Sequence, residues 1–140
     1  MKLLLAVDGS DYTKRMLGYL MAHEEWLVKG HTIELLTVVL ALPPRAATMV
    51  GRQAIEEYYE DEAERVLAPI RKYLAQHKLE AKLVAHHGHP GDVIAQRATE
   101  GSFDLVVMGS HGYGAMAGLV MGSVATRVLS QCKVPVLLVR

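Results

Sequence analysis

Five short apolar runs alternate with longer segments of helical period: Lys2–Val7, Thr32–Val39, Glu80–His87, Phe103–Met108 and Val134–Val139. Runs of this length read as buried strands. Regular alternation with helices is the pattern of an α/β fold on a parallel sheet, because parallel neighbours need a crossover that covers the sheet faces. At 140 residues the chain is expected to form one domain, 1–140, with about two-thirds of its unfolded surface buried.

Between the strands, Ser10 is a good N-cap for a first helix running to about Lys29, where Gly30 ends it. Met16, Leu17, Leu20 and Leu27 form its apolar stripe, and Trp26 packs at its edge. Leu42-Pro43-Pro44-Arg45 breaks the pattern and predicts a long loop through about Arg52. A second helix then covers roughly Ala54 to His77, with Glu56, Glu57, Glu60, Asp61, Glu62 and Glu64 on a solvated face. Pro69 removes a backbone donor there and predicts a kink or a split. A third helix follows Pro90-Gly91-Asp92, and a fourth follows Gly122-Ser123.

The most specific local feature lies where the fourth strand run ends. Phe103–Met108 leads straight into Gly109-Ser110-His111-Gly112, and nine residues later Gly122-Ser123-Val124 opens the last helix. Glycine lets a backbone come close to a ligand, since no Cβ intervenes. Unpaired amides at a helix start, with the positive end of the helix dipole, suit an anion. Two such clusters can wrap a polyphosphate. Asp8-Gly9-Ser10 closes the first strand in the same way. Ligands of open parallel sheets bind beyond the strands' carboxyl ends, so Asp8 there can accept hydrogen bonds from ribose or adenine, or help hold a metal. Its alternative role is to brace the turn.

Charge and composition narrow the classes. The formal net charge is zero, which leaves no electrostatic footprint for nucleic acid. From Leu105 to Arg140 there is no acidic residue, while Arg127, Lys133 and Arg140 are basic. That balance suits an anionic ligand, or reflects buried strands and helix faces where acids are rare. No apolar run is long enough to span a membrane, and the run ending at Asp8 is too short for a secretory signal. Cys132 is the sole cysteine, so an internal disulfide is impossible and a reducing cytoplasm is the expected location.

Competing motifs fail on their spacing. No Gly-Lys pair exists for a Walker A loop, and Gly109, Gly112 and Gly114 reverse the dinucleotide fingerprint with no acid following. Gly-x-Ser-x-Gly is absent, and adjacency alone does not make Ser110 and His111 a catalytic pair. His86 and His87 point to opposite faces of a strand. His87 and His89 share a face, but no Cys or carboxylate is closely spaced to complete a metal site, so a loop-capping or pocket-rim role is the better reading.

Taken in order, these segments resemble the universal stress protein family. The resemblance starts at Leu4-Leu5-Ala6-Val7-Asp8-Gly9-Ser10 and continues through Gly88-His89-Pro90, Asp104–Gly112, Gly122-Ser123-Val124-Ala125 and Val134–Val139. The spacing Gly-x-x-Gly, nine residues, Gly-Ser is similar to the signature of that family's ATP-binding branch. The resemblance implies an open five-stranded parallel sheet in the order 3-2-1-4-5 with helices on both faces, Rossmann-like and of the adenine nucleotide alpha hydrolase type. It implies that Asp8, Val38 and Met108 hold adenosine, with Gly9 and Ser10 beside them. Gly109, Ser110, Gly112, Gly122, Ser123 and Val124 would then hold ribose and phosphates.

The implied ligand is ATP, with AMP, ADP or a cyclic nucleotide also open and Mg2+ or Mn2+ as an accompanying ion. Family members often carry Lys or Arg just after the second glycine, where this chain has Tyr113, so Arg127 is a candidate substitute cation and Tyr113 a candidate lid. Family members pair their last strand with its mate in a symmetric dimer, so the resemblance implies a homodimer through Val136–Val139, which would cover an apolar edge. The expected function is a nucleotide-dependent sensor or regulator in the stress response. Occupancy would be read by an unknown regulatory partner through the loop Leu42–Arg52 or the dimer surface. The alternatives are an interaction module that uses no nucleotide, and a slow ATPase drawing on His111, Asp8 and Ser123.

Overall fold

The computed structural model describes residues 1–140. Five parallel strands, β1 (Lys2–Ala6), β2 (Thr32–Leu40), β3 (Lys82–Gly88), β4 (Leu105–Gly109) and β5 (Val136–Val139), lie in the order β3-β2-β1-β4-β5. β1 is the centre. Its register runs from Lys2 opposite Thr32 to Ala6 opposite Leu36 on one side, and from Leu3 opposite Leu105 to Ala6 opposite Met108 on the other. The strand is apolar throughout because both of its faces are covered: Leu3, Leu4 and Leu5 have no exposed surface.

Alternation splits the core in two. Leu3, Leu5, Ile33, Leu35 and Val107 face α1 (Asp11–Ala22), α2 (Glu24–Leu27) and α4 (Arg52–Gln76), which contribute Met16, Leu17, Leu20, Leu27, Leu67, Ile70 and Leu74. Leu4, Ala6, Leu36, Val106 and Met108 face α5 (Pro90–Glu100) and α6 (Ser123–Gln131), which contribute Ile94, Ala98, Ala125 and Val128. The remaining helix, α3 (Pro44–Val50), has no buried residue.

Several sequence expectations need correction. The first helix does not reach Lys29: at His23 the backbone leaves helical space (φ −120°, ψ 34°) and the chain restarts as α2. The His23 ring donates from Nδ1 to the Tyr19 carbonyl at 2.9 Å, and its edge meets Trp26, which stays exposed at the helix margin. The stretch from Leu42 to Arg52 is not an irregular loop but contains α3, started by Pro44 in the first turn, where a missing N–H costs nothing, and ended by Gly51 at φ 86°. Nor does Pro69 split α4. Its side chain and Arg65, whose carbonyl loses its partner, both lie on the exposed face of the helix, where a carbonyl without an intrahelical partner costs least. The acidic residues of α4 are largely solvated and pair locally, Glu56 with Arg52 and Glu64 with Arg71.

One charged group is buried in the sheet. Glu34, on the α5 face of β2, is 4% exposed and takes two 2.7 Å hydrogen bonds from Arg97 of α5. This fork pins α5 across β2, while the Arg97 guanidinium and Lys2 Nζ lie over the Phe103 ring at 5.6 and 4.4 Å. The Arg97 hydrogen bonds hold the Glu34 carboxyl below its ordinary value of 4.5, against the opposing effect of burial. A carboxylate with a depressed folded-state pKa stabilises the fold fully above its unfolded value, and that contribution is lost as pH falls through the folded one. Glu34→Gln is therefore expected to cost about 1–3 kcal/mol at neutral pH and to flatten the fall in Tm below about pH 4.5, measured by thermal denaturation across a pH series.

Candidate functional site

Because β1 pairs with β2 on one side and β4 on the other, the chain leaves its carboxyl end where the strand order reverses. Val7, Asp8 and Gly9 emerge there. Gly9 takes φ 78°, which turns the chain back so that Ser10 can cap α1, its hydroxyl accepting from the Thr13 amide at 3.5 Å. Asp8 Oδ1 accepts from the Ser10 amide and the Thr13 hydroxyl, both at 2.9 Å. The brace reading of Asp8 thus holds for one oxygen. The other, Oδ2, has no protein hydrogen bond and faces Gly112, where a Cβ would sit 2.5 Å away.

The two glycine segments interlock. The Gly122 amide donates to the Ser110 carbonyl at 2.7 Å, and the Ser110 amide to Val139 at 2.8 Å. A Cβ on Gly122 would lie 3.1 Å from the His111 Cα, and one on Gly109 would lie 2.6 Å from the Tyr12 Cβ. The Ser110 hydroxyl lies 2.9 Å from His111 Nδ1, and His111 Nε2 lies 3.0 Å from the Leu119 carbonyl. A carbonyl only accepts, so Nε2 donates to Leu119, while Nδ1 shares a hydrogen bond with the Ser110 hydroxyl. His111 is thereby a strut that ties the base of the excursion to its far side. Gly122 (φ −74°, ψ 163°) stands at the N-cap of α6 with no side chain satisfying the first-turn amides.

These parts enclose a cavity of 310 Å³. One wall is apolar: Ala6, Leu36, Val38, Ile94, Met108 and Ala125. The rim is Asp8, Gly109, Gly112, Gly122, Ser123 and Val124, with Tyr113 folded back so that its hydroxyl lies 3.2 Å from where a Cβ of Gly9 would stand. Of the candidate residues, Asp8, Val38, Met108, Gly109, Gly112, Gly122, Ser123 and Val124 thus converge on one hollow. Gly9, Ser10 and Ser110 do not line it: Gly9 makes the turn, Ser10 caps α1, and Ser110 is buried behind His111.

Thr13, Pro90 and Ile94 also line the cavity and were not foreseen. The start of α5 immediately after β3 was the available signal, since it too lies at a strand's carboxyl end.

One expectation about charge is corrected. Arg127 does not reach the rim. It forks onto Asp92 of α5 at 2.7 and 3.3 Å, and Gln131 joins at 2.8 Å, which together hold the Asp92 carboxyl below its usual range. His86, His87 and His89 do not converge either. His87 stacks on Tyr59 with ring centroids 4.4 Å apart, and His89 faces Asp92 at 3.7 Å. No set of three or more His, Cys, Asp or Glu side chains is placed to hold a metal ion. Asp8 is the one carboxylate at the cavity, so the protein offers no ligand set for Mg2+ or Mn2+.

Comparison with known proteins places this geometry. A protein from Thermus aquaticus described as a universal stress protein in the QAH/OAS sulfhydrylase 3′ region is 35% identical over 141 residues, covering 99% of this chain and 97% of that one. The structure of universal stress protein UspA from Lactobacillus plantarum superposes with a TM-score of 0.82 at 20% identity, over 100% of this chain and 97% of its own. A universal stress protein from Archaeoglobus fulgidus, solved in complex with dAMP, superposes with a TM-score of 0.69 at 23% identity, over 100% and 98%. The sequence profile described as the universal stress protein family matches residues 1–140. The strand order 3-2-1-4-5, the glycine interlock and these matches agree: the chain belongs to the universal stress protein family.

Proposed function

We propose that this protein binds an adenine nucleotide in the cavity at the end of β1 and acts as a nucleotide-dependent regulator in the stress response, the glycine spacing pointing to ATP and the missing cation after Gly112 leaving AMP, ADP and cyclic nucleotides as candidates beside it. The observation that carries this reading is the division of the cavity into an apolar wall and a rim of uncapped α6 amides, with a free carboxylate oxygen between them. A purine ring fits against Val38, Leu36, Ile94 and Met108. Asp8 Oδ2 is free to accept from ribose hydroxyls, and the Ser123 and Val124 amides receive phosphate, with the missing side chains of Gly112 and Gly122 leaving room for its approach. Gly9, Ser10 and Ser110 support the site from behind by fixing Asp8 and the glycine segments. The dAMP complex of the A. fulgidus protein lends support from the same fold.

Binding rather than turnover is the activity proposed. Ser110 is 3% exposed and outside the lining, and His111, which lines the cavity, is held between the Ser110 hydroxyl and the Leu119 carbonyl as a strut rather than set against an attacking group. Residues 42–52 lie away from the cavity, which makes the excursion 113–121 the better reporter of occupancy to a partner. A reducing cytoplasm suits the lone thiol of Cys132, and no helix is long and apolar enough to cross a membrane.

A homodimer through β5 belongs to the same proposal. The strand is hydrogen-bonded to β4 on one edge only, and Val136, Leu137 and Leu138 remain half-buried. Pairing with a second β5 would cover both the open edge and these side chains.

Equilibrium dialysis with labelled AMP and ATP tests the site. Wild type is expected to bind one nucleotide per chain. Val38→Phe, which fills the apolar wall, is expected to lose binding, while Gly114→Ala, whose added Cβ meets nothing within 4 Å, keeps it. Equal binding by Val38→Phe and wild type would place the nucleotide elsewhere. For the dimer, sedimentation velocity is expected to give twice the chain mass for wild type and a monomer for Leu138→Glu. A wild-type monomer at micromolar concentration would reject the interface.

A further inference from the structure

The charge around the cavity restricts which nucleotide it can hold, given that it holds one at all. Its 20 lining residues include one carboxylate, Asp8, one imidazole, His111, and no lysine or arginine. His111 has both ring nitrogens engaged by the protein itself, one with the Ser110 hydroxyl and one with the Leu119 carbonyl. Arg127 is the basic residue of α6, four positions beyond Ser123, and Asp92 holds it in a two-point ion pair across α5. The whole excursion from Gly112 to Gly122 carries no charged side chain.

The positive potential is therefore left to the first turn of α6, equivalent to about half an elementary charge, and Asp8 opposes it with a full negative one. A triphosphate adds about two more negative charges than a monophosphate, each in a partly desolvated rim with no counter-cation. Size points the same way. At 310 Å³ the hollow lies at the lower end of the range of about 300–1,000 Å³ for small-molecule sites.

We infer that the cavity selects adenosine and its monophosphates, cyclic ones included, over ADP and ATP. Asp8 is the specificity determinant on the protein side. It favours neutral hydroxyl donors on the ribose and disfavours a long anionic tail. The Asp92–Arg127 pair acts at a distance by keeping the one nearby helix cation away from the rim.

Isothermal titration of the full chain with adenosine, AMP, cyclic AMP, ADP and ATP, in EDTA at low salt, tests the ranking. AMP is expected to bind roughly tenfold or more tightly than ATP, and the gap is expected to shrink in about 0.5 M salt as charges are screened. Ala115→Lys places a cation on the exposed part of the lining. It is expected to raise ATP affinity about tenfold relative to its effect on adenosine, which carries no phosphate. ATP binding as tightly as AMP, or a gap that neither salt nor Ala115→Lys moves, overturns the charge selection while leaving nucleotide binding intact. Binding of none of the five compounds overturns the nucleotide reading and this inference with it.

Discussion

Burial of β1 on both faces and both edges is the constraint on which the rest of the structure depends. A strand with the sequence Lys2-Leu3-Leu4-Leu5-Ala6 cannot leave either face to water, so helices must cover both. Its two parallel neighbours, β2 and β4, come from opposite halves of the chain. The reversal of strand order is thereby set at its carboxyl end, and so is the position of the hollow. Asp8 lies two residues past the last paired residue, Ala6. It is the first position at which a charge can reach solvent, and the side chain is shared between bracing the turn and facing the cavity.

Glycine sets the size of that hollow, more through approach distance than through flexibility. Of Gly109, Gly112 and Gly122, none has the positive φ that would demand glycine on backbone grounds. Each has another group against the place of its Cβ: the Tyr12 Cβ 2.6 Å from it at Gly109, the Asp8 carboxylate at 2.5 Å at Gly112 and, less tightly, the His111 backbone at 3.1 Å at Gly122. The spacing motif thus records two chain segments packed at backbone distance. A strut built from Ser110, His111 and the Leu119 carbonyl keeps the nine-residue excursion from spreading. An anion site made only of amides needs this rigidity, since no long side chain is present to adjust to a ligand.

Much of this was legible in the sequence, and the misses share a physical cause. The five strands followed from apolar runs that end in turn residues, while the strand order that brings Asp8 beside Gly109, Gly112 and Gly122 came from the family resemblance. Elements whose stability depends on burial were readable because burial leaves a pattern. α3 left none: it has no buried residue, and Pro43-Pro44 read as a break although Pro44 in fact starts the helix. The halt of α1 at His23 was hidden because the apolar stripe continues through Leu27 in a second short helix. Pro69 misled in the other direction, since an exposed carbonyl can turn to water without ending the helix. The pairing of Arg127 with Asp92 joins residues 35 apart, and nothing local in either segment announces it.

That ion pair links the packing of the fold to the chemistry of the site. Gly91, at the start of α5, is buried against α6, where a Cβ would lie 2.6 Å from the Cβ of Arg127. The close approach of the two helices puts Asp92 within a fork's reach of the Arg127 guanidinium, and Gln131, one turn further along α6, adds a third bond to the same carboxylate. Being largely exposed, the pair contributes little to stability. Its consequence is spatial: the side chain that could have offered a positive charge to the rim is turned along the outer face of α5. The potential at the rim is then set by fixed backbone dipoles and one carboxylate, neither of which can move toward a longer phosphate chain. Helix packing, through a glycine that lines no part of the hollow, thus decides how much negative charge the hollow can accept.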